Sequence, residues 1–495
     1  MKAGFPPIFL LDMYFALPLR RLLAKGLFAA IIILFASFPL SGLDSSVYKG
    51  DTPTRKIEDD SSLRLSLRDA WFTAIPSRVL SQKAQVYTLG GGGRIQVRVE
   101  AGRDEFAVVL ARELTGPAGK TGTYPGWAQG SWILSRRRDS GVANRIRIFP
   151  RSDPYTYVQF QPLGGDKCQM DVVLYEAYVV RSQPLAIPFE RLLSMPVEEV
   201  FSIAGDKFPR RYFDPDPGNY GDLRLFMTRM RERLPELEFL DDGAIDENDN
   251  YVFIETLEAQ KAEFGLNCSG FAKWVVDGIL RPLTGERMPV TPLKQAFGNR
   301  GSSFTEPWEA LRDPFFGLDW TRNLASRAMT VLRSPAYAEL KEFEVRNWPF
   351  SQVILRGSAG GTNGNIAGSV GGSPGTPTGG SVRAYPGFLE NAGFGIEGIH
   401  PLLYTLAIDE PGRIYLASVN TEMGPPTTED NPRGRPRMRQ HFHIAVLVPY
   451  FNEYGAFQVA VFESAEETQF SNFKTRYPGH YVNLVRIPVE GQFDP

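Results

Sequence analysis

The chain has 495 residues, 43% of them hydrophobic and 22% charged, with a formal net charge of −2 at pH 7. That length suits two or three domains, each able to bury a core. A charge so near zero excludes the broad basic surface that grips nucleic-acid phosphates, so no nucleic-acid partner is expected.

At the N-terminus, Arg20, Arg21 and Lys25 precede the apolar run LFAAIIILFASF (27–38), and the small residues Ser41 and Gly42 follow. Basic, then apolar, then small is the order of a secretory signal. Residues 1–42 are therefore expected to direct export, to the periplasm, the cell envelope or the exterior, with cleavage near Gly42. The alternative is a retained membrane anchor, although the apolar core falls short of the roughly 20 residues a span needs. Export exposes cysteines to oxidation, and the two present, Cys168 and Cys268, allow one disulfide. They fall in different segments, which predicts that Cys168 is a lone thiol.

Residues 43–85 form a polar and then helical linker. From 86 to 190 the chain changes to short β-type runs: VYTL, RIQVRVEA, FAVVLARE, SWILSRRR, RIRIFP, TYVQFQPL and MDVVLYEAYVV, divided by Gly, Pro and Asp. Such spacing without helices predicts an all-β domain, sandwich or barrel-like. Residues 191–495 then carry helical patterns, at DLRLFMTRMRERLPEL (222–237) and FGLDWTRNLASRAMTVLRS (316–334) among others. Residues 357–382 hold ten glycines and no charge, the composition of a flexible insertion. Strand patterns return at RIYLASVN (413–420), HFHIAVLVPY (441–450), FQVAVFES (457–464) and YVNLVRIPV (481–489). Helices followed by an antiparallel sheet make this second region α+β.

Two segments imitate ligand sites. GPAGKTG (116–122) has Leu114 where a phosphate loop needs its first glycine. The acidic DDGAIDENDN (241–250), read as a calcium loop from Asp246, puts Tyr251 at the obligatory glycine. No metal and no cofactor are expected.

The stretch AEFGLNCSGFAKWVVDGIL (262–280) carries the chemistry. Asn267 is a good N-cap, and Ala272, Val275 and Ile279 follow Cys268 at helical spacing, with Lys273 and Asp277 on the other side and Pro282 ending the helix. A cysteine in the first turn of a helix meets free N–H groups and the positive dipole end, both of which favour thiolate. Gly270 would leave room there for a substrate backbone. A thiolate nucleophile needs a base, and the four histidines are His400, His441, His443 and His480. His441 and His443 open one strand and share a face by its two-residue period. His443, adjoining the continuous apolar run, is the preferred base, and His441 is the alternative.

NCSGFAKWVVDG resembles the Asp-Cys-Ser-Gly-apolar signature of the NlpC-type papain-like cysteine peptidases, and HIAVLV resembles their histidine strand. The resemblance implies a papain-like domain, with a Cys-bearing helix packed on an antiparallel sheet. It also implies a third polar residue on the next strand that orients the histidine, which is Glu463 in this chain. The implied activity is an exported peptidase or amidase acting on peptide or cell-wall-type substrates. Tyr251 is a loose counterpart of the family's tyrosine ahead of the nucleophile, and Arg437 and Arg439, in PRGRPRMRQHFH, are candidate carboxylate binders. The alternative is a non-catalytic envelope protein, its β domain binding a partner and its papain-like domain a degenerate scaffold.

Overall fold

The computed structural model describes residues 59–90, 92–114, 122–298, 313–356, 380–383, 387–423 and 438–495. The expected export segment, residues 357–379 of the glycine-rich stretch, and Arg433, Arg435 and Arg437 lie outside the described residues. Among the described residues, no helix is long and apolar enough to cross a membrane.

The architecture is mixed α+β. Eight strands follow one another as an antiparallel meander: β1 (Gln85–Thr88), β2 (Arg94–Ala101), β3 (Glu105–Arg112), β4 (Ser131–Arg137), β5 (Ala143–Phe149), β6 (Tyr157–Gly164), β7 (Lys167–Leu174) and β8 (Ala177–Leu185). Each expected run contributes to this sheet, but MDVVLYEAYVV is two strands. Tyr175 and Glu176 adopt φ of 45° and 71°, the left-handed pair that closes a two-residue hairpin between Leu174 and Ala177. The sheet then grows by two strands from far along the chain, β11 (Gln352–Arg356) on the edge of β8 and β12 (Gly380–Arg383) beyond it. Gly380–Val382, expected in the flexible insertion, are thus strand, because β11 offers them an unpaired backbone edge.

Helices follow the meander and several of them pack on the second sheet. They are α3 (Val197–Ala204), α4 (Gly221–Arg233), α5 (Cys268–Thr284), α6 (Phe316–Leu332), α7 (Leu340–Phe343), α8 (Ile399–Asp409) and α9 (Phe470–Arg476), after the short α1 (Ser61–Leu67) and α2 (Pro76–Leu80). A small hairpin of β9 (Gly243–Ile245) and β10 (Tyr251–Phe253) precedes α5. The second sheet joins β13 (Phe394–Gly395), β14 (Arg413–Met423), β15 (Met438–Phe451), β16 (Phe457–Glu463), β17 (Glu466–Gln469) and β18 (Tyr481–Pro488) in the spatial order β13-β18-β14-β15-β16-β17. One continuous apolar core runs from Leu67 through Trp132, Phe226 and Trp320 to Phe493.

Helix α5 lies deep in that core. The Asn267 side chain accepts from the Gly270 N–H at 2.8 Å, and Gly285, with φ of 79°, closes the other end. Every residue from Ser269 to Leu280 is buried, including Lys273 and Asp277, expected on an outer face. Packing surrounds the helix on all sides, so the two charges meet each other at 2.6 Å, and the Met288 N–H also donates to Asp277. Pro282 does not end the helix, which continues to Thr284. The carbonyl of Gly278, which a residue at 282 with an N–H would bond, accepts from Asp494 N–H at 2.8 Å instead. A Cβ on Gly278 would come within 2.3 Å of the Phe493 ring, so the last residues press directly onto this helix.

Candidate active site

Three segments bring Cys268, His443 and Glu463 together. Asn267 starts the helix so that Cys268 is its first residue, half-buried, with its sulfur 4.0 Å from the Ser269 hydroxyl. Helix starts leave their first N–H groups without an intrahelical acceptor. Asn267 takes those of Gly270 and Phe271, through side chain and carbonyl, so Cys268 and Ser269 keep N–H groups with no acceptor in the helix.

Glycine at 270 has a different role from the one expected. A Cβ there would lie 2.0 Å from the Gly243 carbonyl oxygen, which also accepts the Asn267 N–H at 3.0 Å. The space is filled by strand β9 of the protein itself, not reserved for a substrate backbone. The contact clamps the Cys268 turn against the β9–β10 hairpin.

His443 lies on β15 and Glu463 at the end of β16, and the turn between these strands sets their relation. Residues 452–456 form a five-residue connection between the pair Phe451↔Phe457. Asn452 accepts from the N–H groups of Tyr454 and Ala456, and Gly455 takes a φ of 77°. An odd connection keeps odd-numbered positions opposite odd-numbered ones, as in Leu447↔Val461, so His443 and Glu463 turn the same way. The His443 Nε2–H donates to Glu463 Oε2 at 2.7 Å, and Cys268 lies close enough to the same ring for each to shift the other's titration.

The electrostatics follow from this chain of bonds. Burial alone would raise the Cys268 pKa, but the bond and charge of His443 outweigh it, with help from the Ile444 amide and the Ser269 hydroxyl, and hold the thiol below its ordinary value. Burial would likewise lower His443, yet its bonds to Cys268 and Glu463 carry it up to about 9. Burial would raise Glu463, and His443, Arg476 and the Thr468 hydroxyl bring it below the usual carboxylate range. The combination favours a thiolate beside an imidazolium at neutral pH. The Tyr477 ring packs against His443 at a tilt of 30° with ring centroids 5.7 Å apart, and Phe442 and His480 continue the aromatic wall.

His441 occupies another environment. The β14–β15 register runs Val419↔His443 but Asn420↔His441, so Phe442 is an inserted bulge residue. The bulge cancels the expected shared face and turns the two histidines opposite ways. His441 is buried between the Ser418 hydroxyl, 2.8 Å from Nδ1, and the Asn391 carbonyl, 3.0 Å from Nε2. Burial drives its pKa down to about 3, so it stays neutral. His400 is also pushed down to about 3 by burial, among Tyr175, Phe457 and Phe470.

The remaining candidates stand elsewhere. Arg439 donates to Asn420 Oδ1 at 2.8 Å and to Glu422 at 3.2 Å, and its guanidinium covers the Tyr481 ring. Tyr251 pairs with Ile245 in the β9–β10 hairpin and packs edge-on against Phe264. Arg437 lies outside the described residues. Both cysteines are free, and burial raises Cys168 to about 11. Arg476, which donates to Glu463 Oε1 at 2.6 Å, is a site residue that sequence reasoning missed.

Among known proteins, residues 53–212 match a family described as a domain of unknown function, DUF8515. That region spans α1 to β8 and the start of the helical part, and contains none of Cys268, His443 and Glu463. No curated protein matches the chain, and no solved structure does.

Proposed function

We propose that this chain is an exported cysteine hydrolase that cleaves peptide or amide bonds, its second sheet and α5 forming a papain-like domain. The observation that carries the reading is the convergence of Cys268 at a helix start with His443, itself bonded to buried Glu463, where the histidine holds the thiol below its ordinary pKa. A cysteine at a helix start, a histidine on one strand and an acid on the next is the arrangement implied by the resemblance to NlpC-type peptidases. Peptide and cell-wall-type amides are the substrate class that goes with it.

In this reading the Cys268 thiolate attacks the substrate carbonyl carbon, and the displaced electron pair moves to the oxygen. The N–H groups of Cys268 and Ser269 are the donors placed to stabilise that oxyanion. His443 gives its Nδ1 proton to the leaving amine as the C–N bond breaks, leaving a thioester. Neutral His443 then takes a proton from water while its oxygen attacks the thioester carbon. The C–S bond breaks, the acid product leaves, and the thiolate–imidazolium pair is restored. Glu463 keeps the imidazole in the required orientation throughout. An amine in place of water would turn the same steps into acyl transfer.

The test compares wild type with Cys268→Ala on a panel of peptide and cell-wall-type amides, alongside the rate of iodoacetamide alkylation. Hydrolysis by the wild type alone, with Cys268 alkylating rapidly near neutral pH, is the expected result. Undiminished hydrolysis by Cys268→Ala would end the proposal.

A further inference from the structure

The proposed triad does not end at Glu463. Its carboxylate is only 4% exposed, and both oxygens are engaged: Oε2 by His443 Nε2–H, and Oε1 by Arg476 at 2.6 Å. Arg476 is the last residue of α9, and the ring of Tyr477, which follows it, packs at a tilt against the His443 ring. The same short segment therefore contacts both the base and its carboxylate partner.

We propose, resting on the hydrolase reading, that Arg476 is a positioning residue, a fourth member of the site that acts on Cys268 through Glu463 and His443. A buried carboxylate with one charged partner would lean wholly on the imidazolium. The single bond from Arg476 Nη1 to Oε1 holds Glu463 from the oxygen that His443 does not use and shares its negative charge. This sets how firmly His443 holds its proton and how easily Cys268 gives one up. The charged and titratable groups around the relay are Cys268 on α5, Glu463 on β16, Glu466 paired with it on β17, and Arg476 and Tyr477 at the end of α9.

Removing Arg476 takes away a positive charge and exposes His443 and Cys268 to the full charge of Glu463. Both changes disfavour thiolate and favour imidazolium, so both pKa values rise. The experiment follows iodoacetamide alkylation of Cys268 against pH in wild type, Arg476→Ala, Arg476→Gln and Arg476→Lys. Arg231→Ala serves as a control, since it breaks the exposed pair with Glu467 on neighbouring β17. In Arg476→Ala and Arg476→Gln the acid limb should move up by about half a pH unit or more, while Arg476→Lys and Arg231→Ala stay near wild type. Where a substrate is in hand, kcat should fall in Arg476→Ala with KM little changed. An unmoved limb in Arg476→Ala and Arg476→Gln, or a limb that Arg476→Lys fails to restore, overturns the proposal. A wild-type thiol that titrates near 8.5 like a free cysteine overturns the hydrolase reading, and the relay falls with it.

Discussion

His441 and His443 are two positions apart on one strand, yet one is sealed between Ser418 and Asn391 while the other bonds Glu463. The inserted Phe442 is the cause. The two substitutions should therefore fail in opposite ways. His443→Ala should abolish rapid alkylation of Cys268 with little change in melting temperature. His441→Ala should leave alkylation near wild type but cost about 1–3 kcal/mol in urea unfolding, as the buried Ser418 hydroxyl and the part-buried Asn391 carbonyl lose their partner. Slow alkylation in His441→Ala with normal stability would reverse the assignment.

The pH profile has a defined alkaline edge. With His443 carried up to about 9, the imidazolium to which the proposed mechanism gives the role of protonating the leaving amine is lost as pH rises through that value. The Cys268 thiol, held below its ordinary value, is already ionised on the acid side of that edge. Measured kcat/KM should be broad through neutral pH and fall above about 9. In Glu463→Gln the alkaline edge should move down, because an amide no longer stabilises the charged ring.

Acid should loosen the fold through the other histidines. His400 and His441 have folded pKa values of about 3, depressed from 6.5 by burial. The unfolded chain thus binds protons first, so stability present above about pH 6.5 is lost as pH falls toward 3. Urea midpoints between pH 7.5 and 5 should show the decline, with a flatter slope in His400→Phe. A slope equal to wild type in that variant would count against His400 as a contributor.

The clamp on the Cys268 turn gives a mutational test independent of chemistry. Gly270→Ala would drive a methyl into the Gly243 carbonyl and should destabilise severely, with loss of soluble protein or a lowered melting temperature. Asn267→Ala loses only the cap and should cost about 1 kcal/mol. Equal, mild effects of the two would mean that the β9 contact is dispensable.

For the export expectation, N-terminal sequencing of mature protein should find it starting near Leu43. A chain that keeps residue 1 or Met13 and sediments with membranes would mark the segment as an anchor instead.

Features governed by local pattern were readable in advance. The strands of the meander alternate or run apolar between turn residues, and Asn267-Cys268 with the apolar spacing behind it defines a capped helix. Glu463 is legible only as the polar residue that the resemblance implies on the strand after the histidine, and the length of the turn that makes it face His443 is settled by Phe451↔Phe457. Features that depend on distant partners were not readable. Nothing near Phe442 announces a bulge, and Lys273 and Asp277 look like a solvated face until the rest of the core closes over them. Pro282 reads as a helix end because the N–H that replaces its missing bond belongs to Asp494. Strand β12 needs the edge of β11, and Arg476 matters only because α9 folds back onto β16.

The connection at 452–456 has a consequence far from its own position. A hairpin tip is where a chain ordinarily accepts an extra residue at small cost, since it is exposed and contributes little to the core. Here the tip counts. One residue added between Phe451 and Phe457, with the strands re-pairing around it, would exchange Glu463 for a neighbour and leave His443 facing a side chain without charge. Two residues added would restore the arrangement. The site thus tolerates growth of this loop in pairs and is disarmed by single steps, a rule that insertion variants can read out as alternating loss and recovery of thiol reactivity.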